Sequence, residues 1–368
     1  MSNLNKIKLK QIDADFSNIL LKKTDSYVVA KAGDDLMLKY AEAAALTPNN
    51  SARTNRNRAT LILFPGEYPT SGEPVFDIDF VDVIALGSSE KIPSVFIEDS
   101  SIRVTASNIR VVGISTKVQP FNISGGEFQV FENCVGGDNS FGFSYGSSEA
   151  FLEGTYINCT AGDNSFGFSD GSSNLFLEGT YINCTAGDNS FGYMTGGNDI
   201  RIDGNFTSCT AGNNSFGYTG GGGTLEISGN FTNCTAGNNS FGYYGWIFIS
   251  AALTNCTGGD RSFSYGSVAG GTFTNCTGGD QSFASGSDAG GKFTNCTGGD
   301  QSFASEGVAS GTFSSCVGGD VSFGGGGALT GSLFYCRLIN GGVYESPTGP
   351  GIIRLCLQSD GEIINAPI

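Results

Sequence analysis

The chain has 368 residues, a formal net charge of -16, 57 glycines, eleven cysteines and no histidine. The acidic balance argues against nucleic acid as a partner, and the lack of histidine and of any Cys-x-x-Cys pair argues against a zinc site. Because the first ten residues are polar and no stretch is apolar for long enough to span a bilayer, we expect no signal peptide, no membrane contact and synthesis in a reducing cytoplasm.

Residues 1–58 differ in charge from the rest of the chain. They hold ten Lys and Arg against six Asp and Glu, whereas the remainder is strongly acidic. Residues 1–33 show none of the periodicity described below, so we predict that they form a segment separate from the main fold.

A short helix is predicted after that segment. Residues 34–46 (DDLMLKYAEAAAL) begin with two acids, continue with good helix formers and stop at Thr47-Pro48. A polar loop follows over 49–58, and ATLILFPGEY over 59–68 reads as a β run closed by Pro-Gly. We therefore assign 34–58 to a capping helix and loop, and 59–368 to the main domain.

The main domain is a tandem repeat marked by its cysteines. They are separated by 25 residues in the first part and by 20 in the last part, with one gap of 22 between. We expect buried free thiols rather than disulfides, because a file of identical small side chains at strand spacing resembles a packed core. All eleven cysteines belong to this series: Cys134, Cys159, Cys184, Cys209, Cys234, Cys256, Cys276, Cys296, Cys316, Cys336 and Cys356.

Other residue types keep a fixed distance from each cysteine. A Phe lies seven residues after each of the first nine, a large apolar residue lies three before, and Asn immediately precedes seven of them. Asn tolerates the left-handed backbone conformation and can hydrogen-bond the same amide one coil away, so it suits a corner. Glycine-rich coils of 20–25 residues are too short for helix pairs. The pattern therefore predicts an all-β, single-stranded parallel β-helix.

The start of the main domain carries a family resemblance. A helix followed by a strand ending in PGxY (Pro65, Gly66 and Tyr68), ahead of stacked coils, resembles the start of pectate-lyase-like right-handed β-helix proteins. The resemblance implies a right-handed solenoid whose open end is plugged by the helix. The chemistry of that family is not implied, because neither the calcium-binding carboxylates and catalytic Arg of the lyases nor the Gln, two Asp and Arg of the pectin esterases have a match. We assign no catalytic residue.

Residues 5–35 carry a second resemblance. Short modules of the form KIxLKQI and VLKxTxxxWVxAxDD open bacteriophage fibre and spike proteins, and residues 6–12 and 20–35 are similar to the two halves, with Tyr27 where the pattern often has Trp. This implies that residues 1–33 attach the chain to other phage structural proteins and that the protein belongs to the virion. Because phage β-helices commonly associate as trimers, it also implies a homotrimer.

An acidic file four residues after the cysteines supplies metal candidates: Asp138, Asp163 and Asp188. Carboxylates about 4.8 Å apart repel one another unless a cation, a hydrogen bond or solvent intervenes, so bound calcium is one interpretation. The other, which we prefer, is a solvated turn in which each Asp accepts backbone N–H groups, because Asn takes the same place in two coils.

The longer coils carry an extra strand whose outward residues can be read by alternation with the apolar Leu152, Leu177 and Ile202. Exposed Phe beside acids indicates a contact surface, either for a sister subunit, which we favour, or for a glycan. Two acids on neighbouring coils would also have the spacing of a retaining glycosidase pair. The outward residues are Phe151, Glu153, Phe176, Glu178, Arg201 and Asp203.

The one tryptophan, Trp246, lies where the repeat shortens from 25 to 22 residues. A change in coil width creates a ledge, and Tyr243, Tyr244 and Trp246 stand beside it. Their rings suit stacking on host-surface sugars, and they equally suit covering the exposed core of the wider coil, which is the interpretation we favour.

These observations predict a structural component of a bacteriophage particle, a β-helical spike or fibre-like appendage that contacts the host surface. An alternative is a polysaccharide depolymerase, a glycoside hydrolase or lyase, although the uniform coils lack the long inserted loops that wall a cleft. A bacterial surface adhesin with the same fold is another alternative, and it would need an export signal. No cofactor is expected apart from calcium under the metal interpretation.

Overall fold

The computed structural model describes residues 25–89, 91–97, 100–123, 127–145, 150–170, 174–196, 199–221, 223–243, 246–266, 268–339 and 352–367. These residues form a parallel β-solenoid of about 12 turns, nearly all β, with one short helix near the N-terminus. The predicted fold class is confirmed. Residues 1–24, which hold most of the predicted attachment segment, lie outside the described ranges.

The first coils have three sides, each built from strands that pair in parallel with the coil above and below. The first side contains Tyr27–Ala30, Ala59–Leu63, Val81–Ala85 and Arg110–Val112; the second Gly66–Tyr68, Val95–Ile97 and Ile114–Ser115; the third Val75–Phe76, Ile102–Val104 and Phe121–Ile123.

The cysteine coils continue the first side without a break in register. Their strands on that side are Val130–Glu132, Thr155–Ile157, Leu175–Ile182, Ile200–Thr207, Thr224–Thr232, Ala252–Thr254, Thr272–Thr274, Lys292–Thr294, Thr312–Ser314, Ser332–Phe334 and Ile352–Leu357. The wide coils add Ala150–Leu152, Trp246–Ile249 and Val268–Ala269 beside these. Two short strands, Val308–Ala309 and Ala328–Leu329, continue the column of Val268–Ala269. Shorter strands on the other sides are Phe143–Tyr145, Phe168–Asp170, Tyr193–Met194, Tyr218–Thr219, Val317–Gly318 and Arg337–Leu338.

The helix Leu36–Ala44 covers the N-terminal end of the core. Its N-cap is Asp35, whose carboxylate accepts the Leu38 N–H at 3.0 Å, as expected for an N-cap acid. Leu36, Tyr40 and Ala43 are buried, and the Tyr40 hydroxyl accepts the Ile78 N–H at 3.0 Å. Burial raises the pKa of Tyr40 to about 12, so its hydroxyl stays neutral.

The first strand of the solenoid precedes this helix. Tyr27–Ala30 pairs in parallel with Ala59–Leu63, and the Tyr68 hydroxyl donates to the Ala30 carbonyl at 2.9 Å. The polar loop after the helix includes a short 3-10 turn, Pro48–Asn50. The segment 1–33 that we assigned to attachment contributes one strand, Tyr27–Ala30, to the rod itself.

Two columns of aromatic rings fill the interior of the cysteine coils. Within each column the rings stack flat, as for Phe166 and Phe191, whose centroids lie 4.7 Å apart with planes 4° apart. The columns meet edge to face, as for Phe191 and Phe206 at 6.1 Å and 87°. Both arrangements are favourable for aromatic quadrupoles, so the repeat spacing seen in the sequence is the spacing of a stacked core.

The predicted corner is also present. The Asn residues before the cysteines adopt a left-handed conformation, with φ 54° at Asn158 and at Asn183. The Asn183 amide donates to the Asn158 side-chain oxygen at 3.0 Å, and Asn158 donates to Asn133 at 3.0 Å. The amide ladder thus satisfies polar groups at a bend that few other residue types accept.

The C-terminal coil is flanked by an antiparallel strand. Ile363–Pro367 pairs with Ile352–Leu357, and the register shifts between Ile353 and Cys356. This is the one antiparallel pairing of named strands in the described part of the chain, and it covers an edge that would otherwise present unpaired backbone groups.

Candidate functional site

The most distinctive outer surface lies on the wide coils. We call it the wide face. It consists of the outward residues on, or directly flanking, the strands Ala150–Leu152, Leu175–Ile182, Ile200–Thr207, Thr224–Thr232, Trp246–Ile249 and Val268–Ala269. The predicted alternation is confirmed, since Leu152, Leu177 and Ile202 are buried whereas Phe151 is 57% exposed. Regular alternation occurs because successive residues of a strand point to opposite faces.

The middle column of the wide face runs along the rod axis through six coils in unbroken parallel register. Phe151 and Phe176 stack with centroids 4.7 Å apart and planes 9° apart, and at the other end Phe248 is 50% exposed. Solvated rings of this size favour a partner, because burying one contributes roughly 1.5–3 kcal/mol. The column consists of Phe151, Phe176, Arg201, Glu226, Phe248 and Val268.

A second column, the acidic column, lies two residues further along each strand. Glu178, Asp203 and Ser228 are in register, and Glu153 occupies the same place one coil earlier, next to the Leu152–Leu177 pair. Arg201 Nη2 lies 3.1 Å from Asp203 Oδ2, with both side chains largely exposed, so this ion pair contributes little to stability.

A third column, the outer column, lies two residues before the middle one. Asp199 accepts the Thr224 N–H at 2.9 Å through Oδ1, and Asn174 accepts the Asp199 N–H at 3.3 Å. Trp246 follows in register after Thr224 and is 72% exposed. The predicted outward residues therefore share one face of the rod, and Trp246, which was predicted to stand on a ledge, lies on the same face. The outward residues are Phe151, Glu153, Phe176, Glu178, Arg201 and Asp203.

Tyr243 belongs to a different surface from Trp246. It is half-buried in a stack with Tyr218 and Tyr265, at centroid distances of 5.3 Å on both sides. The stack continues through Tyr193 to Phe168. Sequence reasoning missed this stack, although an aromatic residue nine positions after six successive cysteines was visible. Tyr244 lies outside the described residues.

The acidic file at Asp138, Asp163 and Asp188 forms a hydrogen-bonded turn. Asp138 Oδ1 accepts the Asp163 N–H at 2.9 Å, and Asp163 Oδ1 accepts the Asp188 N–H at 2.8 Å, as in the turn interpretation. The preceding glycine is required, because a Cβ on Gly187 would lie 1.9 Å from Asp163 Oδ1. Among the residues that the structure describes, no group of three or more His, Cys, Asp or Glu is arranged to hold a metal ion.

All eleven cysteines are buried free thiols, as predicted. Each lies just after a corner and donates its S–H to backbone carbonyls, as Cys209 does to the Tyr181 carbonyl at 3.4 Å. Because every thiol of the file is buried, none is accessible to a reagent in solution while the rod is folded. The cysteine file is therefore part of the core and not a reactive site.

The fold places the chain in the class of parallel β-solenoid proteins. Beyond that class, no family model, no curated protein and no solved structure matches the chain. Within the described ranges, no helix has both the length and the apolar character needed to cross a bilayer.

Proposed function

We propose that the protein is a structural rod, a β-helical spike or fibre-like appendage of a bacteriophage particle, attached to other particle proteins through residues 1–33. The proposal rests on the sequence of residues 5–35 and on the regularity of the rod. Synthesis in the host cytoplasm and assembly into the virion go with it.

One observation carries the mechanical part of the proposal: each coil satisfies the polar groups of the next with the same bonds. The Oδ1-to-N–H contacts of the acidic file run from Asp138 to Asp320 at 2.7–3.0 Å. A buried Ser file runs beside it, as where Ser190 N–H donates to Ser215 Oγ at 3.2 Å. Ladders of this kind resist bending and local opening, since no coil can separate without losing several bonds.

Contact with a host surface is the second part of the proposal. Trp246 is exposed on the wide face, whereas Tyr218, Tyr243 and Tyr265, on a different surface, are half-buried and stacked on one another, so that Trp246 is the aromatic face open to a ligand. Aromatic faces of this kind suit the apolar faces of sugar rings. Host-surface polysaccharide is therefore the ligand class to test.

Incorporation into particles tests the attachment role. Mass spectrometry of purified particles should detect the full chain, and a chain that begins at Asp25 should fold but be absent from particles. That truncation keeps the strand Tyr27–Ala30, so its loss from particles would not reflect a damaged rod. Absence of the full chain from particles, or incorporation of the truncated chain at the same level, would overturn the proposal.

Polysaccharide cleavage is the competing function, and Glu153 with Glu178 would be its carboxylate pair. Both lie on the outer side of strands in the wide face, and Glu153 is exposed to solvent. We expect host polysaccharide to keep its chain length after incubation with the protein. Shortening that is abolished by Glu153→Gln or Glu178→Gln, and kept by the control Asp203→Asn, would establish the enzyme instead.

A further inference from the structure

The wide face is asymmetric along the rod axis. Toward the N-terminal end its outward side chains include Glu153, Glu178, Asp199 and Asp203. Over the next three coils the same columns carry uncharged residues apart from Glu226, and Asp288 then follows Val268 in the middle column. Glu226 is exposed and has no ion-pair partner in the part of the chain that the structure describes.

The middle column is complementary to itself when reversed. It reads Phe, Phe, Arg, Glu, Phe, Val in consecutive coils. A two-fold axis along the strand direction, midway between Arg201 and Glu226, places Arg201 opposite Glu226 of a second copy and Phe176 opposite Phe248. Phe151 then lies opposite Val268. We propose that the wide face binds the wide face of a second copy of this chain, with the two rods antiparallel about this axis.

The flanking columns fit the same arrangement. In the acidic column, Asp203 comes opposite Ser228 and Glu178 opposite Ser250, since Ser250 follows the Ile227–Ile249 pair by one residue. In the outer column, Asp199 comes opposite Thr224. Each acid in these two columns therefore meets a neutral residue, while the middle column supplies two reciprocal Arg-to-Glu contacts. An isologous interface requires this kind of matching between a surface and itself.

A parallel assembly through this face lacks that match. In a trimer, or in any parallel arrangement with coils level, Arg201 would meet Arg201 and Glu226 would meet Glu226 of the neighbouring copies. Like charges brought together at an interface cost several kcal/mol, and the exposed rings would have to offset that cost. For the wide face we therefore propose an antiparallel pair in place of the homotrimer expected from the sequence.

Antiparallel pairing changes what the rod can do in an assembly. The axis crosses the coils near the middle of the solenoid, so the two rods overlap over most of their length and the first strands of the two copies, Tyr27–Ala30, lie at opposite ends. Such a pair is a strut with an attachment segment at each end, rather than a spike with one free tip. This consequence rests on the proposed attachment role of residues 1–33, whereas the pairing itself does not.

Engineered disulfides test the register directly. Phe176 and Phe248 are three coils apart within one rod, about 14 Å at roughly 4.8 Å per coil, and a disulfide needs Cα atoms within about 7 Å. We expect a mixture of the Phe176→Cys and Phe248→Cys proteins to form linked dimers under mild oxidation, while neither protein links to itself. Self-linking of each variant alone would show parallel packing and overturn the proposal. The native thiols are buried and give little background.

Charge reversal provides an independent test by sedimentation of the full chain. Arg201→Glu and Glu226→Arg should each weaken the dimer at least tenfold, and the double variant should recover most of the affinity, because each reversed charge again meets its opposite. Lys292→Glu, on a narrower coil, is the control and should leave the dimer constant unchanged. A monomer at tens of micromolar, a trimer, or a double variant weaker than both single variants would overturn the pairing. Particle incorporation of the paired protein then tests the attachment role separately.

Discussion

At the scale of single residues, each cysteine of the file places a small side chain in the packed core next to a tight corner. Cys209 is fully buried, follows a left-handed corner at Ser208 (φ 54°), and donates to carbonyls of its own and the preceding coil. Its neighbour Thr210 is exposed on the outer side of the same coil. Adjacent positions thus face opposite environments, which offers a matched pair for mutation.

Replacing Cys209 with Asp should destabilise the rod by about 3 kcal/mol or more, because a carboxylate would be buried without a partner. Thr210→Asp should change stability by about 0.5 kcal/mol or less. Chemical denaturation of the two variants beside the unmodified protein would measure both. Equal midpoints for the two variants would mean that the inward side of the coil is misassigned.

At the scale of the repeated element, the corner ladder contains an interruption. Asn occupies the corner at Asn183 and Asn233, while Ser208 stands between them at the same φ of about 54°. Asn is favoured over Ser in the left-handed region, and on either side the ladder bonds are 3.0 Å long. Ser208 is therefore less favourable at its corner than the Asn that occupies the corners of the neighbouring coils.

Ser208→Asn should stabilise the protein by about 0.5–1.5 kcal/mol, through the backbone preference and by continuing the amide ladder. Ser208→Ala is the control and should be neutral or destabilising, because Ala gains neither effect. Thermal melting of the three proteins would rank them. A lower melting temperature for Ser208→Asn than for the unmodified protein would contradict the role assigned to the ladder.

The repeat was predictable from the sequence because the register leaves a residue-by-residue trace. The alternation around Leu177, the corner Asn and the stacked Phe residues all follow from one side chain per coil at a fixed place. The backbone conformation at those Phe residues could not be predicted from the sequence. Phe166 adopts φ 52°, a conformation that its bulk disfavours. Only the neighbouring coils, which accept its N–H and stack on its ring, make that conformation the favourable one.

Two further features depend on contacts far apart in the sequence and could not be read locally. The strand Tyr27–Ala30 lies before the helix, and its place in the solenoid is set by pairing with Ala59–Leu63. In the wide face, the columns were visible in the sequence, whereas the complementarity of Arg201 and Glu226 about one axis needed the register between coils. Both features depend on pairing between strands that are distant in the sequence, and amino-acid composition does not predict which strands pair.

At the scale of the whole molecule, a solenoid has two ends at which core and strand edges would be exposed. At the C-terminal end the strand Ile363–Pro367 covers part of the last coil. At the other end the helix Leu36–Ala44 lies over the first coil, with Leu36 fully buried and Leu38 65% exposed. Covering both ends prevents the rods from adding to one another edge to edge.

Leu36→Asp should therefore release the helix from the end of the rod, because the carboxylate cannot be buried against apolar residues without a partner. We expect faster amide hydrogen exchange over Ala59–Leu63 and concentration-dependent aggregation, since the first coil then presents an open edge. Leu38→Asp changes the same helix on its exposed side and should leave exchange and solubility as they are. If the two variants exchange alike over Ala59–Leu63 and both stay soluble, the helix does not act as a plug, and the first strand, Tyr27–Ala30, must protect that end by itself.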